Sequence, residues 1–216
     1  MSIKNNLKNI TDSNSNQVQL VAVTKTRSLE QLTELYNCGQ KVFGENKVQE
    51  LSAKYEALPK DIQWHLIGHL QTNKVKFIVP FISLIHSIDS EKLLAEVNKQ
   101  AQKINRKIEV LLQVYIAKEE TKFGWDEQEL IEFLDTKKNK NYANIEIVGL
   151  MGMATNTDNV EQIKSEFTNL KSIFDKAKKV IANSSFKTIS MGMSNDYKLA
   201  VECGSNMIRV GSALFN

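Results

Sequence analysis

The amino-acid sequence predicts one α/β domain, residues 1–216, folded as a (β/α)8 TIM-type barrel. Three observations predict it. Eight short apolar runs alternate with longer segments of helical periodicity, a β–α order that implies a parallel sheet. The strongest run, Ile108–Ile116 (IEVLLQVYI), shows little alternation, as expected of a strand buried on both faces. The 216 residues sit near the lower end of barrel sizes, roughly 200 residues, and hold no linker or low-complexity tract.

The elements follow in order. Val18–Thr24 (VQLVAVT) is the first strand. Ser28 with Gln31 forms a capping box for a helix to Asn37, and Gly39 stops it. Lys41–Phe43 is a short strand, and Glu45–Ala57 a helix. Trp64–Ile67 is the third strand, followed by a helix from Gln71 to Val79. Ser83–Ile88 is the fourth, and Ser90 caps a helix to Lys103. After Ile108–Ile116 come a helix over Asp126–Leu134 and a strand over Ile145–Met151. The long helix Thr157–Ile181 carries Val160, Ile163, Phe167, Leu170, Ile173, Phe174 and Ala177 on one apolar stripe. Phe186–Met191 is a strand, Asp196–Glu202 a short helix, and Met207–Val210 the last strand. No helix is expected after Phe215, and Lys4–Asn16, within a weakly structured segment over 1–16, is the stretch available to cover that gap.

Composition excludes several classes. A formal charge of +3 is too small to imply nucleic acid, and the lysines lie among Glu and Gln on solvated helix faces. The polar start has no signal-peptide core, and no run approaches a membrane span of roughly 20 apolar residues. Cys38 and Cys203 lie far apart outside any CxxC pattern and read as reduced thiols of a cytoplasmic protein. There is no GxGxxG, no P-loop and no HExxH. His65 and His69 bracket a strand end and do not form a metal pair; His65, on an apolar strand, reads as an interior histidine, with a ligand-facing position as the alternative. Trp64 and Trp125 are packing residues.

Barrels place their chemistry at the C-terminal strand ends. Those ends read Lys25; Gly44-Glu45-Asn46; Gly68-His69-Leu70-Gln71; Ser87 and Asp89; Lys118 and Glu119; Met151-Gly152-Met153; Met191 through Asp196; and Arg209 through Ser212. Lys25 ends an apolar strand, where desolvation and neighbouring cations would make a neutral amine available for Schiff-base chemistry. The alternative is a strand-end lysine that extends to water. Gly192-Met193-Ser194-Asn195 precedes a short helix and offers an anion cradle, with Gly211-Ser212 beside it. The alternative is that Ser194 only caps that helix. Arg209, between Ile208 and Val210, needs either an internal carboxylate or a ring nitrogen to receive its donors.

The segments VAVTKTRS (21–28), FGENKVQE (43–50), WHLIGHLQTNK (64–74), HSIDS (86–90), KFGW (122–125), GLMGM (149–153), SMGMSND (190–196) and IRVGSALF (208–215) together resemble the pyridoxal phosphate homeostasis proteins, relatives of the alanine racemase barrel. At its ends the chain departs from the family, which has a longer N-terminal helix and continues a little past the final phenylalanine. The resemblance implies that Lys25 forms a Schiff base with pyridoxal 5′-phosphate (PLP). It implies that Ser194, Gly211 and Ser212 contact the phosphate and that Arg209 partners the pyridine nitrogen. Asn46 would lie beside the ring, and Met193 and His65 would line the pocket. The implied role is PLP homeostasis and delivery to PLP-dependent apo-enzymes, by a monomer without turnover of its own. An arginine on the ring nitrogen weakens the ring as an electron sink, and the sequence makes no base opposite Lys25 evident. The rival is a PLP-dependent racemase, for which Tyr115 and Tyr197 are the candidate acids. A third reading is an interaction barrel without a cofactor.

Overall fold

A computed structural model of the chain describes residues 2–12, 18–118, 123–136 and 141–216. Eight parallel strands close into a barrel: β1 (Gln19–Val23), β2 (Val42–Glu45), β3 (Gln63–Leu66), β4 (Leu84–Ile88), β5 (Ile108–Val114), β6 (Ile145–Gly152), β7 (Thr188–Ser190) and β8 (Met207–Val210). Closure comes from β1 on β8, with Gln19 opposite Met207 and Ala22 opposite Val210. The helices are α1 (Ile3–Asp12), α2 (Leu29–Asn37), α3 (Val48–Ala57), α4 (Val75–Ile78), α5 (Glu91–Lys103), α6 (Glu127–Asp135), α7 (Val160–Ile181), α8 (Tyr197–Glu202) and α9 (Ser212–Phe215).

Local chemistry explains these starts and stops. Ser28 and Gln31 form the expected capping box on α2, and Gly39 takes a left-handed φ of 97° just past its end. Ser90, Asp126 and Asn159 cap α5, α6 and α7 through their side-chain oxygens. β5 is buried along nearly its whole length, as its unalternating sequence requires. Between β6 and β7 the backbones approach so closely that a Cβ on Gly149 would lie 1.7 Å from the Thr188 carbonyl oxygen, so only glycine fits there.

Several boundaries differ from the sequence reading. β2 runs on through Glu45, and α3 starts only at Val48, because Gly44 and Glu45 pair with β3. The helix expected over Gln71–Val79 divides into a 3-10 turn at Thr72–Lys74 and the short α4. Val160 of the α7 stripe is exposed, while Ile163, Phe167, Leu170, Ile173, Phe174 and Ala177 are buried. Two further differences concern the ends. Ile3–Asp12 is a helix after all, its Ile3, Leu7 and Ile10 buried in the main core. A short helix, α9, also follows β8. The Asn6 amide nitrogen donates to the Leu214 and Asn216 carbonyls, each at 3.0 Å, so the N-terminal helix docks on the last turn of the chain. Positions 13–16 of the expected segment lie outside the described residues.

Most of the core lies between the strands and the surrounding helices. A second, smaller cluster joins Val21, Val42, Leu84, Leu111, Val148, Met151 and Met207. These side chains alternate with residues of the main core, such as Ala22, Phe43, Ile85 and Ile208, and fill the barrel interior.

Candidate functional site

Side chains alternate across a strand, so every second residue shares a face. Counting from Val21 of β1 and Met207 of β8, which lie inside, the inward face continues to Val23 and to Arg209; Lys25 and Gly211 follow just past those strand ends. The same face of β3 and β4 carries His65 and His86. The barrel thus changes from apolar side chains to polar ones along its strands.

Inside it, four side chains form one hydrogen-bonded chain. Arg209 Nη1 donates to Ser190 Oγ at 2.7 Å. Ser190 Oγ lies 3.2 Å from His86 Nδ1, and His86 Nε2 lies 3.0 Å from His65 Nδ1. Arg209 Nη2 donates to the Gly152 carbonyl at 3.1 Å. One assignment has Ser190 accept from Arg209 and donate its hydroxyl proton to His86 Nδ1, with His86 Nε2–H donating to His65; the reverse, His65 Nδ1–H to His86 Nε2 and His86 Nδ1–H to Ser190, satisfies the same contacts. Every partner is then matched with both imidazoles neutral. Burial pushes His65 down to about 3. Burial, followed by Coulombic repulsion that a protonated His86 would meet from His65 and Arg209, holds His86 well below the ordinary histidine range. Burial lowers Arg209 to about 10, an arginine still charged near neutrality, with Asp196 opposing that shift. Asp196 itself is raised, chiefly by burial.

The two loops after β7 and β8 are tied together at the mouth. Ser194 Oγ accepts the backbone N–H of Gly211 at 3.1 Å and of Ala213 at 3.3 Å. Ser194 does not cap α8. Asp196 occupies that position, and its carboxylate accepts the Met193 N–H at 2.5 Å. Gly192 allows the turn: its φ is 95°, and a Cβ there would lie 2.6 Å from that of Ala200. Gly211 lies against β1, where a Cβ would sit 3.2 Å from Val23 Cβ. Val23 is two residues before Lys25, so the joined loops abut the lysine's strand.

Lys25 is solvent-exposed, without the burial that the sequence argument invoked for its amine. The next residue, Thr26, has a φ of 62°. After the neighbouring strands β2 and β3, the backbone of Asn46 is so close to Gly68 that a Cβ on Gly68 would lie 2.4 Å from the Asn46 carbonyl oxygen. The Asn46 side-chain Oδ1 is buried and has no hydrogen-bond partner among the described residues. His69 Nδ1 lies 3.1 Å from Asp89 Oδ2 and its ring stacks on Phe123 at 4.8 Å. Lys118 donates its N–H to Thr155 Oγ1 at 2.9 Å, while Glu119 lies outside the described residues.

The structure therefore joins Ser194 to Gly211 by a hydrogen bond and places Gly211 beside the Lys25 strand. Met193 is exposed on the loop after β7, and Ser212 is exposed at the start of α9. His65 is an interior residue bonded to His86, not a mouth residue. Trp64 and Trp125 are buried in the core, as expected of packing residues. Sequence reasoning passed over Ser190, His86 and Lys54. Each carries a usable signal: a polar residue inside a strand that is otherwise apolar, or, for Lys54, a charge three residues after Leu51 on the inward stripe of α3.

The family model of the alanine racemase N-terminal domain matches residues 1–216, so the fold is that of an alanine-racemase-type barrel. A pyridoxal phosphate homeostasis protein of Aquifex aeolicus is 39% identical over 201 residues, covering 93% of this chain and 87% of the relative. One from Helicobacter pylori is 38% identical over 200 residues, covering 92% and 87%. The chain belongs to the family of pyridoxal phosphate homeostasis proteins. The solved structure of PipY from Synechococcus elongatus with PLP bound superposes with a TM-score of 0.91 at 33% identity, over 100% of both chains. Alanine racemase from Bartonella henselae, at 17% identity and a TM-score of 0.73, shares the fold across 98% of this chain and 57% of its own.

Proposed function

We propose that this chain binds pyridoxal 5′-phosphate at the C-terminal mouth of the barrel, with Lys25 as its covalent anchor. It acts in PLP homeostasis, holding and passing on the cofactor without catalytic turnover. The observation that carries this reading is the junction of the Ser194 loop, the Gly211 loop and the Lys25 strand. The homology supports it, since PipY carries PLP at 33% identity.

The residues present fit the group. Ser194 Oγ spends its acceptor capacity on two backbone N–H groups, which leaves its O–H to donate outward to a phosphate. Ser212 adds a backbone N–H and a hydroxyl, and Gly211, whose own N–H is taken by Ser194, puts no side chain between them and the anion. Arg209 uses two of its five N–H groups on Ser190 and Gly152, and the others remain to donate to the pyridine nitrogen. Asn46 brings a buried oxygen that needs a donor. Met193 adds apolar cover at the mouth. Lys25 would hold the group through its amine, and the cofactor would supply an aldehyde able to condense with that amine with loss of water.

A charged Arg209, locked by two hydrogen bonds, keeps a proton off the ring nitrogen and disfavours carbanion chemistry. Of the tyrosines, Tyr197 packs against the main core. We further propose that the chain works in the cytoplasm as a monomer and hands its cofactor to PLP-dependent apo-enzymes. Among the described residues no helix is long and apolar enough to cross a membrane. The test is an absorbance titration of the purified protein with PLP, then addition of alanine and other amino acids. A Schiff-base band with no racemisation is expected, and racemisation would establish the enzyme reading instead.

A further inference from the structure

We infer that Glu45, Glu50 and Lys54 form a clamp that fixes the turn Thr24–Thr26 and thereby aims the Lys25 side chain, which makes these three the positioning residues of the anchor. The inference rests on the functional reading of Lys25. Lys54 Nζ, on α3, donates to the Thr24 carbonyl at 2.7 Å and to Glu45 Oε1 at 2.5 Å. The Thr24 hydroxyl donates to the same carboxylate oxygen at 2.6 Å. Glu50 Oε2, one turn earlier on α3, accepts the Thr26 N–H at 3.2 Å and lies 3.6 Å from Lys54 Nζ. The clamp therefore grips the carbonyl before Lys25 and the amide after it.

Three features argue for function over stability. Glu45 is fully buried and Lys54 nearly so, with relative exposures of 0% and 8%. A buried ion pair is often no more stabilising than apolar residues of the same volume. Glu45 Oε2 is also buried without a hydrogen-bond partner among the described residues, a cost that a merely structural pair would avoid. Finally, Thr26 is held at φ 62°, a region that β-branched residues avoid unless their surroundings enforce it. Glu50 and Lys54 hold this turn together with its own bonds, the Arg27 N–H to the Thr24 carbonyl at 3.1 Å and the Thr26 hydroxyl to the Lys25 carbonyl at 2.6 Å.

The test compares the wild-type protein with Glu45→Gln/Lys54→Met, which removes both buried charges together, and with Glu50→Ala at a partly exposed site. Three quantities are read: amide hydrogen exchange at Lys25 and Thr26 in cofactor-free protein, the rate at which PLP forms the borohydride-trappable adduct on Lys25, and the affinity for pyridoxine 5′-phosphate, which has no aldehyde. The clamp predicts faster exchange at those two amides in both variants. It predicts adduct formation slowed by about 10- to 100-fold in the double variant, the scale of a misplaced reacting group, and unchanged affinity for the aldehyde-free compound. Unchanged exchange and unchanged adduct rate in both variants would overturn the clamp. A wild-type protein with no adduct on Lys25 would overturn the functional reading instead.

Discussion

Ser194 accepts the backbone N–H of Gly211 at 3.1 Å, and this one bond links the loop after β7 to the loop after β8. The same hydroxyl oxygen takes the Ala213 N–H, so a single side chain sets the shape of the cradle. Ser194→Ala removes the acceptor for both amides and the outward donor to a phosphate. A hydrogen bond to a charged group contributes about 1.5–3 kcal/mol, so the Kd for PLP is expected to rise about 10- to 100-fold. Adduct formation on Lys25 should survive at saturating PLP. An equilibrium titration measures this, and an unchanged Kd would remove Ser194 from the phosphate site.

The buried histidines make stability depend on pH. His65 is held near 3, against 6.5 for an unburied histidine, and His86 is lowered in the same direction. Below 6.5 the unfolded chain binds protons that the folded chain refuses. The stability of the neutral state is therefore complete above pH 6.5 and is lost as pH falls from there towards 3. The slope reaches about 1.4 kcal/mol per pH unit for each histidine. Urea unfolding at several values between neutrality and the carboxylate range should show it. His65→Gln keeps an acceptor for His86 but cannot titrate, so its slope should be shallower. Equal slopes for the two proteins would contradict the neutral chain.

Asn6 is a third test, remote from the mouth. Its amide nitrogen spans the Leu214 and Asn216 carbonyls at 3.0 Å each, and the Leu214 bond is buried. Asn6→Ala should cost about 1–3 kcal/mol, the penalty for an unsatisfied buried acceptor. The denaturant midpoint should fall with the slope unchanged. An unaltered midpoint would mean that α1 contributes nothing through this residue.

The barrel was legible because its signals are local and repeated. Apolar runs, caps at Ser28 and Ser90, and the glycine stop at Gly39 each depend on a few neighbouring residues. The N-terminal helix was not legible. The stretch is polar and a weak helix former, and its stability comes from docking Ile3, Leu7 and Ile10 on the core, a tertiary effect that overrides propensity. At the site, the positions of Lys25 and Arg209 follow from strand ends and parity. The partners of Arg209 do not, because Ser190 and His86 are 19 and 104 residues away from their bonded neighbours in the chain. The cap alternative for Ser194 falls for the same reason: a serine three residues before a short helix can look like a cap, yet its bonds run across to the next loop.

The central claim is tested most directly by reducing the PLP-loaded protein with borohydride and mapping the modified peptide by mass. The account predicts a single pyridoxyl adduct on Lys25, and its loss in Lys25→Ala with residual weak binding through the phosphate cradle. An adduct on a different lysine, or the same adduct persisting in Lys25→Ala, would contradict it.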